Sequence, residues 1–377
     1  MNTFIQKRLP HLATVFTAFA LCSASARGAG GTVVAWGEQF YHKPSTVTLT
    51  NAIAIGAAFS NSLALKADGH LINWGSESSP ATNFSNVVAI TAAGSHYLVL
   101  TADGVVDGFG YWNWNARSSM PTNVFNATNI VAIGAGDSHN LVLECDGTVL
   151  AWGYAYTNVP AGLSNVTAIA CGEYHSLALK RDGTVVGWGD NSWGQTNVPA
   201  GLSGVVAIAG GAYHSLALKS DGTVVGWGSN YAGETNAPAD LSNVVAIAAG
   251  VFYSLALKSD GTVVAWGANT FGLANVPAGL SNVIAIAVGQ VGGAALAIVG
   301  SAPLACQVPL ANPSFGPDGF RVSLPTRSGR VYALEYQDAL SNGTWTALPL
   351  AAGNGRTLTL RDPTAAGTQR FYRVRQW

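Results

Sequence analysis

The sequence predicts an all-β chain: a seven-bladed β-propeller closed by its own N-terminal strand, followed by a small C-terminal β-sandwich. Three observations predict it. Two linked sequence blocks recur seven times, an Asp-Gly pair separates apolar strands in most copies, and the first and last copies are incomplete in complementary ways. Charged residues make up 10% of the 377, against about 25% in ordinary soluble domains. With 45 glycines, 11 tryptophans and 49% apolar residues, the chain is too apolar and too weakly charged to be disordered. Its length suits one large domain, or one large and one small. A net charge of −1 provides no basic field to gather phosphates, which argues against a primary nucleic-acid role.

Residues 1–26 read as a secretory signal peptide. Lys7 and Arg8 form the positive start, Leu12 to Leu21 is uncharged, and Ala24-Ser25-Ala26 is an A-x-A cleavage site. The apolar run is too short to span a bilayer, which needs about 20 residues, so no transmembrane segment is expected in the mature chain. Leu21 ahead of Cys22 is bulkier than a lipid-anchor site favours. Cleavage after Ala26 removes two basic and no acidic residues, moving the net charge from −1 to −3. A secreted, periplasmic or cell-surface protein is expected.

The propeller is assigned to residues 30–300. One block, roughly D-G-T-V-V-x-W-G, places Trp-Gly at Trp36, Trp74, Trp152, Trp188, Trp227 and Trp266, with Phe109-Gly110 filling the missing place. Spacings run from about 35 to 43 residues, the range of propeller blades. The other block, V-V-A-I-A-x-G-x-x-H-S-L-A-L, also occurs seven times, ending at Leu65, Leu100, Leu143, Leu179, Leu218, Leu257 and, degraded, Ile298. In one copy Val205–Ala209 and Ser215–Lys219 read as buried strands. Asp221-Gly222 is a hairpin signal, and Thr223–Trp227 is a third strand. The segments marked by Pro160, Pro199, Pro238 and Pro277 would supply at most a poorly paired outer strand, because proline tolerates only edges. The first copy has only its third strand, Thr32 to Gly37, and the last has only the first two, Val283 to Ile298. Together they make one blade, which a closed ring needs to leave no edge exposed; an open solenoid would carry polar caps instead.

The pattern G-x-x-H-S-L-A-L…D-G-T-V-x-x-W-G resembles the repeat of the regulator of chromosome condensation (RCC1-like) family. The loop Trp188-Gly189-Asp190-Asn191-Ser192-Trp193-Gly194-Gln195-Thr196-Asn197-Val198-Pro199 is closer still in length and pattern to the secreted beta-lactamase inhibitory protein type II. The resemblance implies a seven-bladed propeller over nearly all of residues 30–300. It also implies that aromatic loop residues on one face meet a partner. The guanine-exchange activity of the founding member is not expected of an exported chain that is not basic.

With three strands per blade, the G-x-x-H loop and the loop after Trp-Gly open on one face, and the Asp-Gly turns lie on the other. That face collects Tyr41, Trp112, Trp114, Tyr154, Tyr156, Tyr174, Trp193, Tyr213, Tyr231, Phe252 and Phe271. Clustered Trp and Tyr are the composition of binding hot spots; the bland alternative is that they cap the blade tops. The in-register Trp of the Trp-Gly motifs read as packing between blades. His96, His139, His175 and His214 share one repeat position, which is Asn61, Tyr253 and Gly292 in other copies. Equivalent positions on neighbouring blades are too far apart to share a metal, so a ring-to-loop-backbone hydrogen bond is expected of each. Asp68, Asp103, Asp146, Asp182, Asp221 and Asp260 read as turn residues tolerant of positive φ. No nucleophile–base–acid set or phosphate loop is present, so neither an enzyme nor a cofactor is expected. Cys145, Cys171 and Cys306 have no C-x-x-C spacing and read as buried thiols.

Residues 301–318 read as a linker and 319–377 as an immunoglobulin- or fibronectin-like β-sandwich. Its strands are expected at Phe320–Leu324, Val331–Tyr336, Thr344–Leu348, Thr357–Leu360 and Arg370–Val374. The function expected is that of a monomeric, non-enzymatic scaffold. It would recognise an extracellular or envelope protein through the aromatic face, with inhibition as one mode of action. The alternative is a carbohydrate or cell-wall binder using the same aromatics, and a third reading is a surface-layer or spacer protein.

Overall fold

The computed structural model describes residues 31–37, 49–58, 61–66, 68–75, 84, 87–94, 96–101, 104–110, 120–125, 130–144, 146–289, 294–300, 311–316, 319–325, 331–337, 346–347, 351–352, 357–362 and 371–376. Seven three-stranded antiparallel sheets form the blades. Blades 1 to 6 span 52–75, 87–110, 130–153, 166–189, 205–228 and 244–267. Blade 7 combines Val283–Val288 and Ala295–Val299 with the N-terminal strand Thr32–Trp36.

That N-terminal strand closes the ring as expected. It pairs with Ala295–Val299 from Thr32 opposite Val299 to Trp36 opposite Ala295. Gly31 then exchanges backbone hydrogen bonds of 3.1 Å with Ala52 of blade 1 in both directions. The joint is thus sewn to both neighbours, and the sheet edge that an open array would expose is consumed.

Middle strands such as His214–Lys219 are buried on both faces. They read as runs of Leu and Ala because each blade packs against a neighbour on either side. The Trp-Gly tryptophan reaches into the preceding interface. Trp227 joins the core of blade 4 with Leu177 and Leu179, and Trp266 joins that of blade 5 with Leu216 and Leu218. Trp36 joins that of blade 6 with Leu255 and Leu257. Phe109 takes this place in blade 2, stacked on Tyr97 at 4.9 Å and packed against the core of blade 1.

The proline-marked segments form no outer strand in blades 3 to 6. Each makes a turn, as where Leu202 N–H donates to Pro199 O at 3.1 Å. The flanking residues Val198 and Leu202 cover the interface beside Trp227. The apolar residues there serve lateral packing, and a segment without a proline N–H gains little from pairing.

The hairpins at the opposite end are three-residue loops. Gly222 N–H donates to Lys219 O and Lys219 N–H to Thr223 O, both at 2.9 Å. The positive φ of +83° falls on Gly222. Asp221 does not adopt it, contrary to the sequence reading. Its carboxylate instead accepts from Thr223 N–H at 3.0 Å and from the Thr223 hydroxyl at 2.6 Å. Those donors hold the carboxyl well below its usual range. Asp146, Asp182 and Asp260 repeat the backbone contact, and Asp103 lies outside the described residues.

Beyond the ring, Ala311–Gly316, Gly319–Pro325 and Thr357–Asp362 form one sheet, and Val331–Gln337 pairs with Thr346–Ala347, Ala351–Ala352 and Phe371–Gln376 in another. Ala311–Gly316 lies inside the span expected to be a linker. It is an edge strand, and Pro313 sits where its register shifts, between Ala311 and Ser314. An edge irregularity is where a strand accommodates proline.

Replacing Trp227 by alanine is expected to cost about 3–5 kcal/mol in urea unfolding. Replacing the exposed Trp193 should change stability by no more than about 0.5 kcal/mol. Equal losses at both sites would contradict the inter-blade role.

Candidate binding face

The aromatic rings converge as the strand parity requires. Tyr174, Tyr213 and Phe252 come from loops between inner and middle strands, and Tyr154, Tyr156, Trp193 and Tyr231 from loops after outer strands. Tyr213 stacks on Phe252 with centroids 5.5 Å apart. Trp193 lies against Tyr213 at 6.2 Å and Tyr231 against Phe252 at 6.3 Å. Four rings rooted in blades 4 to 6 are therefore continuous. Tyr156 and Tyr174 form a further pair at 5.9 Å. Tyr41, Trp112 and Trp114 lie outside the described residues; Phe271 falls in the turn Thr270–Gly272, and its side chain is likewise outside them.

The large apolar side chains exposed among the described residues are Tyr154 (86%), Tyr231 (88%), Trp193 (57%) and Tyr156 (37%). All four stand on this face. Trp193 and Tyr231 are mounted on loops that brace themselves. Asn191 donates to Asn197 Oδ1 at 2.9 Å and accepts from Thr196 N–H at 3.1 Å. Gln195 donates to Asp190 at 2.7 Å and accepts from Trp193 N–H at 2.9 Å. Asn230 with Asn236, and Asn269 with Asn275, repeat the first brace. A ring on a fixed loop loses less entropy on binding than one on a mobile loop.

Tyr156 adds strain. Its φ is +61°, and the other non-glycine residues with positive φ are Asn51, Asn165, Asn243 and Asn282. Asparagine tolerates that conformation; a bulky side chain costs about 1–2 kcal/mol there. Held strain of this kind is typical of functional loops.

Beneath the aromatics runs a chain of histidines that the sequence reading placed differently. Each ring reaches a side chain of the next blade, where the sequence reading expected a loop backbone. His96 Nε2 contacts Asn140 Oδ1 at 2.7 Å, and His139 Nε2 contacts Ser176 Oγ at 2.8 Å. His175 and His214 contact Ser215 and Ser254 Oγ, each at 2.9 Å. Ser215 spends its proton on Gln195 O at 2.8 Å, so His175 donates through Nε2–H. Trp227 Nε1–H reaches the same carbonyl at 2.8 Å. Glu234 O receives Ser254 and Trp266 in the same way. The glycine three residues before His139, His175 and His214 is required by packing: a Cβ on Gly211 would meet the His214 ring at 2.6 Å.

The family description "Regulator of chromosome condensation (RCC1) repeat" matches residues 130–156, 166–195, 205–234 and 244–273. Blades 3 to 6 therefore carry RCC1 repeats. Yeast RCC1 (Prp20), solved bound to Kap60, superposes with a TM-score of 0.58 at 19% identity, over 78% of this chain and 95% of that one. Prp20p from Saccharomyces cerevisiae gives 0.57 at 18%, over 77% and 97%. The ectodomain of the Physcomitrella patens receptor kinase CR4 gives 0.52 at 21%, over 74% and 80%. Likeness at these identities establishes the fold alone. No curated protein sequence matches the chain.

Chemically, the face of this RCC1-repeat propeller offers rings and carboxylates. Among the described residues, no three His, Cys, Asp or Glu side chains are grouped to hold a metal. Cys171 is buried, with its thiol pushed up by burial, while Cys145 and Cys306 lie outside the described residues.

Burial lowers the histidines from 6.5 to about 4 for His139 and His214 and to about 3 for His175. Neighbouring imidazoles add to the lowering at His139 and His175. Since the folded-state values lie below 6.5, unfolding takes up protons as the pH falls. The stability these groups sustain is complete above pH 6.5 and is lost between there and about pH 4. The slope is at most about 1.4 kcal/mol per pH unit for each histidine. A urea midpoint that is level above pH 7 and falls in this window is expected, with a shallower fall in His214→Gln. A midpoint unchanged between pH 7 and 4 would contradict the assignment. Tyr156→Gly should gain about 1 kcal/mol of stability by relieving strain, measured in the same titration.

Proposed function

We propose that the chain is an exported, non-enzymatic scaffold that grips another protein through its aromatic propeller face. The single observation carrying this reading is that Tyr154, Tyr156, Trp193 and Tyr231, the large apolar side chains exposed among the described residues, share one face, Trp193 and Tyr231 on self-braced loops. A soluble protein seldom leaves such a patch uncovered unless a partner covers it. The yeast propeller Prp20p is described by its binding to Gsp1p and histones, so this fold is used elsewhere as a protein-binding platform. Inhibition of the partner is one consequence of such a grip. Carbohydrate binding is less well supported: the loop amides of Asn191, Asn197, Asn230 and Asn236 are already committed to each other, whereas sugar recognition needs free amides beside the rings.

Export rests on residues 1–26. The mature chain should begin at Arg27, which intact-mass measurement of the protein from culture medium or envelope would show. The 319–377 segment is read as a small β-sandwich that spaces or attaches the propeller. To test the binding reading, the mature chain serves as bait for native envelope and secreted proteins. The control is a Tyr154→Ala/Trp193→Ala/Tyr231→Ala variant. A protein retained by the wild type and lost by the variant is expected. Identical capture by both baits would refute the aromatic face, and retention of glycan alone would favour the carbohydrate alternative.

A further inference from the structure

Among the described residues, the charged side chains of the aromatic face are all acidic. The carboxylates of its described loops are Asp137, Glu173, Asp190 and Glu234, and no described lysine or arginine stands with them. The described basic residues of the propeller are Lys66, Lys180, Arg181, Lys219 and Lys258, all on the opposite face at the hairpin turns. There the four lysines lie 3.0–3.6 Å from the turn aspartates. Among the described residues, basic side chains thus accompany the acids on the hairpin face and none does so on the aromatic face.

Not every carboxylate on the aromatic face is available. Glu234 is consumed by Ser229 Oγ–H at 2.6 Å and Ala232 N–H at 2.7 Å. Asp190 accepts from Ser192 and Gln195 within its own loop. Asp137 and Glu173 occupy the same repeat position on adjacent blades, joined where Asp137 N–H donates to Glu173 O at 3.0 Å. Burial pushes the Glu173 carboxyl up and the Asp137 charge adds to it, while the Tyr174 hydroxyl bonded to Glu173 works the other way. Tyr213 lies close enough for its hydroxyl to be raised by burial and then by Glu173 and Asp190. Tyr174, bonded to Glu173, lies against Tyr156, and Tyr213 lies against Trp193.

We propose that this face recognises a protein presenting a basic side chain, arginine in particular, that settles against Tyr174 and Tyr213 beside Asp137 and Glu173. The inference rests on the protein-binding reading above and specifies the partner's chemistry. A guanidinium is planar, stacks on an aromatic ring and can fork onto a carboxylate. It would also relieve the repulsion between the two acids. Lysine would gain the charge attraction with less of the stacking. A neutral partner would cover the carboxylates unpaired, which is costly, and an acidic one would meet only like charge.

Random peptides displayed on phage and selected against the immobilised mature chain test this. The expected pool is enriched in arginine, then lysine. Synthetic peptides from it should bind about tenfold more weakly to Asp137→Asn/Glu173→Gln, and also more weakly at high salt. Urea midpoints of the variant matching wild type establish that the fold is intact. A pool that depends on Trp193 and Tyr231 but carries no basic enrichment would overturn this inference and leave the binding reading standing. Basic peptides that bind the double variant as well as wild type would overturn it too. A selection yielding nothing dependent on the aromatic residues would remove both.

Discussion

The backbone carbonyl of Gln195, and its counterpart at Glu234, is the point on which the assembly turns. It accepts Ser215 Oγ–H and Trp227 Nε1–H from the next blade, each at 2.8 Å, and His175 of its own blade is tied to the same serine. A single blade is a three-stranded sheet with two apolar faces and cannot persist alone in water. Stability comes from joining blades, and this knot fixes how they join. Trp227 and Ser215 are directly opposite across adjacent strands, so one carbonyl sets both the angle and the register of the neighbour.

The same residue reaches outward. The Gln195 side chain donates to Asp190 and accepts from Trp193 N–H, so the loop carrying an exposed indole is anchored by the unit that holds two blades together. Core and face are therefore not independent. Blade 3 shows the converse. Its outer loop, Tyr154-Ala155-Tyr156, is shorter and has no glycine–glutamine pair. The Trp188 indole N–H of the next blade has no hydrogen-bond partner. Tyr156 takes up the strained conformation in this same loop. Departure from the repeat costs a hydrogen bond and backbone strain, and it places Tyr156 against Tyr174.

Much of this was legible from the chain alone. A repeat announces strands by its own recurrence, and incomplete first and last copies announce closure, because only a ring makes the two halves neighbours. Strand parity was enough to place Tyr174, Trp193, Tyr213, Tyr231 and Phe252 together. Lateral partners were not legible. His175 meets Ser215 forty residues on, and a period of that length says that blades are equivalent without saying which atoms of adjacent blades touch. The aspartates were misread for a local reason: Asp-Gly signals a tight turn, but whether Asp or only Gly takes positive φ depends on loop length. Val198 and Leu202 were overlooked as packing residues because the proline between them drew the reading towards a weak strand.

The uneven distribution of rings follows from the geometry of a propeller. In blades 3 to 6 the inner-to-middle loop turns tightly over its glycine, where the His139, His175, His214 or Tyr253 ring occupies the space a Cβ would need. Only the residues between that glycine and that ring are free to vary: Asp137 and Ser138, Glu173 and Tyr174, Ala212 and Tyr213, Val251 and Phe252. In blades 3 to 5 the first of the pair donates its N–H to the next blade, as Glu173 does to Gly211 O at 3.2 Å and Ala212 to Gly250 O at 3.0 Å. Its backbone is thereby fixed while its side chain remains open to choice. In blades 3 and 4 that choice is a carboxylate, and in blades 5 and 6 an apolar group. The fold thus restricts chemical variation to a narrow band of positions. Acids and aromatics fill that band side by side, so the described negative charge and the exposed rings lie on the same face.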